Sequence, residues 1–234
     1  MIRTGRYTVI PAIMSVRVRA PQSAAVIPWW LSGGVTAANC LAAYTPKGAA
    51  SLAASYDNNA APGNGLADGT YDATTTSAPT FDAATGWSFS GGGPYLSSGV
   101  VPASGYSIIV RYSNLADVQL KYFMGQSKTN ANFALAGNDQ TNVGYYSGGV
   151  QKVAPKLLTG VLCIAGQYGY RNGTLDSPAI AAWSATTTNA IYMGGCNGLA
   201  TSYWPAVVIQ AVAIYDTTLT PTQIAAITLA MQSL

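Results

Sequence analysis

The stretch that decides the fold is "AVVIQAVAIYDTTLTPTQIAAI", residues 206–227. Its first half is rich in β-branched residues. Val208, Gln210, Val212 and Ile214 alternate with Ile209, Ala211, Ala213 and Tyr215, and both sets are largely apolar. A strand that is apolar on both sides is a central strand covered on two faces. Its second half turns into a helix with clear start signals. Thr220 offers a capping hydroxyl, Pro221 fits the first helical position, and Gln223 completes a capping box. Leu219 and Ile224 are placed for a hydrophobic staple. Ile224, Ile227 and Met231 then form one apolar stripe by which the helix docks on a body already folded.

Upstream, short strand-like runs follow each other from residue 81 onward: "GWSFSGG", "PYLSSGVV", "YSIIVRYS", "KYFMGQS", "NFALAG", "NVGYYSGG", "QKVAP", "GVLCIAGQYGY", "AIAAWSA" and "AIYMGGC". Gly, Asn, Pro or Ser turns separate them, which is the pattern of an antiparallel sandwich. "GYRNGTL" is the sharpest hairpin, because Asn172-Gly173 is the preferred type I′ pair. Before residue 81 the reading stays open. "AANCLAAY" and "KGAASLAASY" each suit a short helix or a strand, and residues 57–80 carry dense turn chemistry.

These motifs resemble the laminin-G-like, concanavalin A-like jelly rolls. The order runs from "TFDAATGWSFSGGGPYLSSGVVP" through "YSIIVRY", "GQYGYRNGTL" and "AIYMGG" to "VIQAVAIYDTTLTPTQIAAI". Tyr170, Asn172, Gly173, Ile191, Gly194, Val212, Ile214, Tyr215, Leu219, Thr220, Gln223 and Ile224 stand at the positions that carry the family's hairpin, its I-x-x-G strand and its closing strand and helix. The resemblance spans roughly residues 40–234. It implies an all-β, antiparallel jelly-roll sandwich with a short C-terminal helix. The Ala/Gly/Ser/Thr-rich, charge-poor style is similar to that of phage virion proteins carrying such domains.

Composition bounds the chemistry. Of 234 residues only 8% are charged while 49% are hydrophobic. Soluble domains average about a quarter charged, so Ser, Thr, Asn, Gln, Tyr and Gly must cover this surface. There is no His, and all eight acids are Asp. Ser-His-Asp and Cys-His systems and His-containing zinc sites are therefore excluded within one chain. The closest Asp pair, Asp68 with Asp72, lies in turn-rich sequence. It does not supply the two facing carboxylates of a glycosidase. Cys40, Cys163 and Cys196 sit among small or apolar neighbours and read as buried thiols, although sequence does not decide whether Cys163 and Cys196 pair.

Arg3, Arg6, Arg17 and Arg19 place four of the eleven basic residues in the first 20 with no acid, leaving seven basic against eight acidic residues over 21–234. Residues 1–30 thus read as a cationic, Pro-broken arm ending in Trp29 and Trp30, and 31–234 as the sandwich. If Trp29 and Trp30 lay in a strand they would face opposite sides. The arm lacks the larger basic field that nucleic acid requires. "VIPAIM" does not read as an export core, and no run has the length of a membrane helix.

The expectation from residues and resemblance together is a virion protein, assembled in the host cytoplasm. It is not an enzyme, and it serves as a head decoration or tail-associated subunit, a homo-oligomer such as a trimer, that anchors to other virion proteins through the arm. The alternatives are a glycan-binding adhesin and an atypical glycoside hydrolase. Tyr145, Tyr146, Tyr168, Tyr170, Trp183, Tyr203 and Trp204 are the candidate sugar platforms, since aromatic faces suit the C–H faces of sugars. No cofactor is expected, with Asp117 and Asp139 as weak calcium candidates in the manner of the family.

Overall fold

Strands form where β-branched and aromatic residues run between glycine-rich turns, and the chain assembles them into two antiparallel sheets. The computed structural model describes residues 27–60, 74–116, 121–128, 132–137, 139–182 and 185–234. In chain order the strands are β1 (Cys40–Tyr44), β2 (Thr74–Ser77), β3 (Thr80–Asp82), β4 (Gly86–Ser90), β5 (Tyr95–Ser97), β6 (Ser107–Ser113), β7 (Lys121–Gln126) and β8 (Phe133–Gly137). They continue as β9 (Val143–Ser147), β10 (Gly149–Val153), β11 (Gly160–Ala165), β12 (Tyr168–Arg171), β13 (Thr174–Ser177), β14 (Tyr192–Met193) and β15 (Ala206–Tyr215). One helical turn, α1 (Leu52–Ser55), follows β1, and the C-terminal helix is α2 (Pro221–Gln232).

The first sheet runs β13-β12-β11-β6-β15-β4-β3, with β1 also paired to β15. The second runs β10-β9-β8-β7-β14-β5-β2. Between them lies the main core. Trp87, Phe89, Ile108, Val110, Tyr112, Leu162, Ile164, Val212 and Ile214 come from the first sheet, and Leu96, Phe123, Phe133, Leu135, Val143, Tyr145 and Met193 from the second. The architecture is the expected all-β antiparallel sandwich with one short C-terminal helix.

β15 is central in its sheet and covered on both faces, as its sequence requires. Val207, Ile209, Val212 and Ile214 join the inter-sheet core. Ala211, Ala213 and Tyr215 join a second cluster with Ile224, Ile227 and Met231 of α2. Simple alternation placed Ile209 with Ala211, and that grouping is corrected by a bulge. The register shifts between Ile209 and Ala211, so Gln210 is the extra residue and the two flanking residues fall on opposite faces.

α2 begins as its sequence predicts. The Thr220 hydroxyl accepts from the Gln223 backbone N–H at 3.3 Å, and the Gln223 Oε1 accepts from the Thr220 backbone N–H at 2.9 Å. A cap of this kind is worth about 1 kcal/mol. Trp29 and Trp30 do not lie in a strand. They occupy a 3-10 turn, Trp29–Leu31, with rings 5.5 Å apart at right angles. Trp29 donates its Nε1–H to Thr45 at 3.0 Å, and both rings pack on the cluster beneath α2. Arg3, Arg6, Arg17 and Arg19 lie outside the described residues.

"AANCLAAY" resolves into both options: a 3-10 turn over Ala37–Asn39 leads into β1. "AIAAWSA" is not a strand among its described residues. The Asn172-Gly173 turn forms with φ values of 49° and 83°, joining β12 to β13. Cys163 and Cys196 do not pair, none of the three cysteines forms a disulfide, and all three are buried. Cys163 lies in the cluster beneath α2, whereas Cys196 lies with Ala134, Ala136 and Tyr146 in a third one. No helix among the described residues is long and apolar enough to cross a membrane.

Candidate functional site

The structure separates the aromatic candidates rather than gathering them. Tyr145 is corrected as a platform. It is fully buried in the inter-sheet core, where no sugar reaches it. Its hydroxyl donates to Asp176 Oδ2 at 2.8 Å, and Arg171 pairs with the other oxygen of the same carboxylate. Burial, reinforced by the Asp176 charge, pushes the Tyr145 hydroxyl far above the ordinary tyrosine range. A nucleophilic tyrosine would need the opposite shift. The Tyr145–Asp176–Arg171 chain therefore ties β9 to the β12–β13 hairpin.

Tyr146, on the opposite face of β9, is 7% exposed and packs at 4.9 Å from Tyr122 over the small residues Ala134 and Ala136. Trp204 is 6% exposed and lies 5.3 Å from Tyr95, which in turn stacks on Tyr192 at 4.2 Å. Neither ring presents a face to solvent. Tyr203 is more open, in the 3-10 turn Thr201–Tyr203 beside a shallow hollow of about 290 Å³ that Trp204 and Lys121 help to line. Trp183 lies outside the described residues.

Tyr168 and Tyr170 are brought together with groups that their sequence neighbourhood does not contain. They sit two apart on β12, so their side chains share a face. The type I′ turn places Leu175 opposite Tyr170. The loop after β15 closes the other side with Thr218, Leu219, Thr220 and Pro221. The result is a cleft of about 410 Å³, within the usual range for small-ligand sites. Tyr168 is 42% and Leu175 55% exposed, whereas Tyr170 is a buried wall. Gly169, between the tyrosines, faces inward against the Tyr145 ring, and this close approach fixes the outward direction of its neighbours.

The cleft is apolar with hydroxyls at its rim. Thr218 donates to Gly105 O at 2.8 Å, and Thr220 is held in the capping box. Leu175, Thr218 and Pro221 were not among the candidate sugar-binding residues named from the sequence. Leu175 alone was accessible to sequence reasoning, through the register that a two-residue turn imposes across from Tyr170. A larger cleft, about 510 Å³, lies between Val101–Ser104 and Ala185–Thr187, but no aromatic ring lines it among the described residues.

The Asp139 carboxylate is engaged by its own turn. Oδ1 accepts from the backbone N–H groups of Thr141 and Asn142 at 2.8 and 2.7 Å, and from their side chains at 2.9 Å each. Those bonds, the Asn142 side chain first, hold it well below the usual Asp range. It braces its own turn. Asp117 lies outside the described residues, and the described residues contain no cluster of three or more potential metal-ligating Cys or Asp side chains.

No protein-family model matches the sequence, and no curated protein matches it. Solved structures do. A mutant of Trypanosoma rangeli sialidase displaying trans-sialidase activity aligns with a TM-score of 0.59 at 14% identity, over 85% of this chain and 34% of the sialidase. The unmodified Trypanosoma rangeli sialidase aligns at 0.55 with 14% identity, over 83% of this chain and 33% of its own. A point mutant of botulinum toxin HCR/D aligns at 0.54 with 12% identity, over 82% of this chain and 52% of that one. The chain thus spans about a third of the sialidases' length and half of HCR/D. The expectation that this chain is not an enzyme is corrected by these neighbours: several are sialidases, so the architecture is one that enzymes carry. Lack of His and Glu removes particular catalytic systems, not catalysis as a class. At this level of identity, what the chain shares with all three is its fold, a β-sandwich.

Proposed function

We propose that this chain is a carbohydrate-binding β-sandwich of the lectin-like jelly-roll kind and that the cleft between the β12–β13 hairpin and the start of α2 is its sugar site. The observation that carries this reading is the exposed ring of Tyr168, set beside Leu175 and Pro221 and rimmed by Thr218 and Thr220. A pyranose has an apolar C–H face and a hydroxyl edge, so an aromatic ring flanked by short polar side chains matches it on both counts. A Trypanosoma rangeli sialidase of this architecture has been solved in complex with sialic acid, which supports a sugar as the ligand class.

Replacing Tyr168 by Ala tests the site. The ring is half-exposed, so its loss leaves the core intact, and glycan affinity should fall roughly 10–100-fold, as for a hot-spot aromatic. Glycan-array binding by the full chain, with circular dichroism as the check on folding, reads the outcome. Unchanged binding by a folded variant would place the sugar elsewhere.

A second reading, a subunit on the surface of a virion or comparable assembly, is favoured by a charge content of 8% together with exposed Ile27, Val101, Leu158 and Leu229. Apolar groups left in a surface so poor in charge are sheltered when copies associate. None of the neighbours named above is a phage protein. Sedimentation of the full chain should show an oligomer, and a monomer at high micromolar concentration would remove this reading.

A further inference from the structure

Resting on the sugar-site reading, we infer that the cleft selects neutral glycan and rejects sialylated glycan, in contrast with the sialic acid held by the sialidase neighbour. Three features of this site lead there. Among the described residues its lining, Tyr168, Tyr170, Leu175, Thr218, Leu219, Thr220 and Pro221, includes no charged side chain. A carboxylate moved into it would lose hydration without gaining a cation, whereas a hydroxyl loses far less.

The nearest cation in sequence is committed elsewhere. Arg171 follows Tyr170 on β12 and so projects to the opposite face. There it pairs with Asp176 and donates to the carbonyl oxygens of Ala154 and Pro155. Arg111 is held at the far end of α2, donating to Met231 O at 2.6 Å and Leu234 O at 3.1 Å. Lys47 also donates to Leu234 O.

The third feature is the helix start itself. A helix N-terminus ordinarily offers its first N–H groups to an anion. Here Pro221 has no N–H, the Thr220 N–H is taken by Gln223 Oε1, and the Gln223 N–H is taken by the Thr220 hydroxyl. Of these first positions, only Thr222 retains an amide outside the capping box. The anion site that geometry would create is dismantled by the cap.

The test is an array of neutral glycans printed beside their terminally sialylated counterparts, probed with the full chain, Tyr168→Ala and Leu175→Arg. The wild type should bind at least one neutral glycan at least tenfold more strongly than its sialylated form. That binding should be insensitive to salt and should fall in Tyr168→Ala. Leu175→Arg, which adds a guanidinium at the exposed rim, should raise the sialylated signal at least tenfold. Equal or stronger binding of sialylated glycan that is lost in Tyr168→Ala overturns the selectivity while leaving the sugar site standing. Absence of binding to every glycan by folded wild-type protein removes both.

Discussion

Raising the pH above about 10 is expected to unfold this protein cooperatively. Tyr112, Tyr145 and Tyr215 are each fully buried, and burial pushes their hydroxyls well above the ordinary value of 10.0. The thiols of Cys163 and Cys196 are raised likewise from 9.0, and that of Cys40 is pushed up to about 12. The cause common to all six is desolvation of the anion. The folded state therefore keeps these protons after the unfolded chain has begun to lose them. Stability is intact below the unfolded thiol range and falls as pH rises through it. Each group costs about 1.4 kcal/mol per pH unit above its unfolded pKa, so six together remove on the order of 10 kcal/mol by about pH 11. That equals the whole stability of a typical domain, about 5–15 kcal/mol.

Circular dichroism and tyrosinate absorbance followed together against pH provide the measurement: of the fifteen tyrosines, the buried Tyr112, Tyr145 and Tyr215 should ionise only as the β signal is lost. Ionisation of all fifteen tyrosines with the β signal intact would contradict the burial of these three rings. Replacing all three cysteines by Ala should move the transition to higher pH, because half of the titrating groups are then gone.

The second large effect is expected at two glycines that meet aromatic rings. A Cβ at Gly194 would lie 2.1 Å from Phe89 Cδ1, at a backbone φ of 82°. Phe89 is 1% exposed in the inter-sheet core and has no room to withdraw. Gly194→Ala therefore combines a strained conformation with overpacking, each of which costs roughly 1–3 kcal/mol. At Gly169 the Cβ would lie 2.5 Å from the Tyr145 ring, which the bond to Asp176 holds in place. Chemical denaturation should show a loss of about 3–5 kcal/mol for Gly194→Ala and somewhat less for Gly169→Ala. In contrast, Gly92→Ala faces open space, and its penalty should be limited to its left-handed backbone at φ 72°. A loss at Gly92→Ala as large as that at Gly194→Ala would show that backbone strain, and not ring contact, sets the cost at these two left-handed positions.

Gly169→Ala also touches the sugar-site reading. By pressing on Tyr145 it displaces β12, and Tyr168 and Tyr170 move with it, so binding and stability should fall together. Tyr168→Ala separates the two, since its ring is open to solvent.

Much of the scaffold was legible in local chemistry. The capping box at Thr220 and Gln223, the type I′ turn at Asn172-Gly173 and the doubly apolar β15 each depend on residues close in sequence, so their physics is local. The antiparallel sandwich follows from many short strands set between turn residues. Composition alone removed histidine-based and glutamate-based systems. It did not remove enzymes, because that conclusion concerns a class wider than the residues it was drawn from.

Only the tertiary structure decided which aromatics face solvent. Tyr145 and Tyr146 are adjacent and similar in sequence, yet one is bonded to Asp176 in the core and the other packs on Tyr122 outside it. A bulge at Gln210 turned Ile209 to the face that plain alternation denied it. Thr218 and Pro221 meet Tyr168 through the docking of the α2 start on the sheet, contacts made by residues about fifty positions apart, whereas Leu175 reaches the same cleft through the local β12–β13 pairing. The reason is the same in each case: alternation fixes that neighbours point opposite ways, but which way is inside depends on what the rest of the chain lays against the sheet.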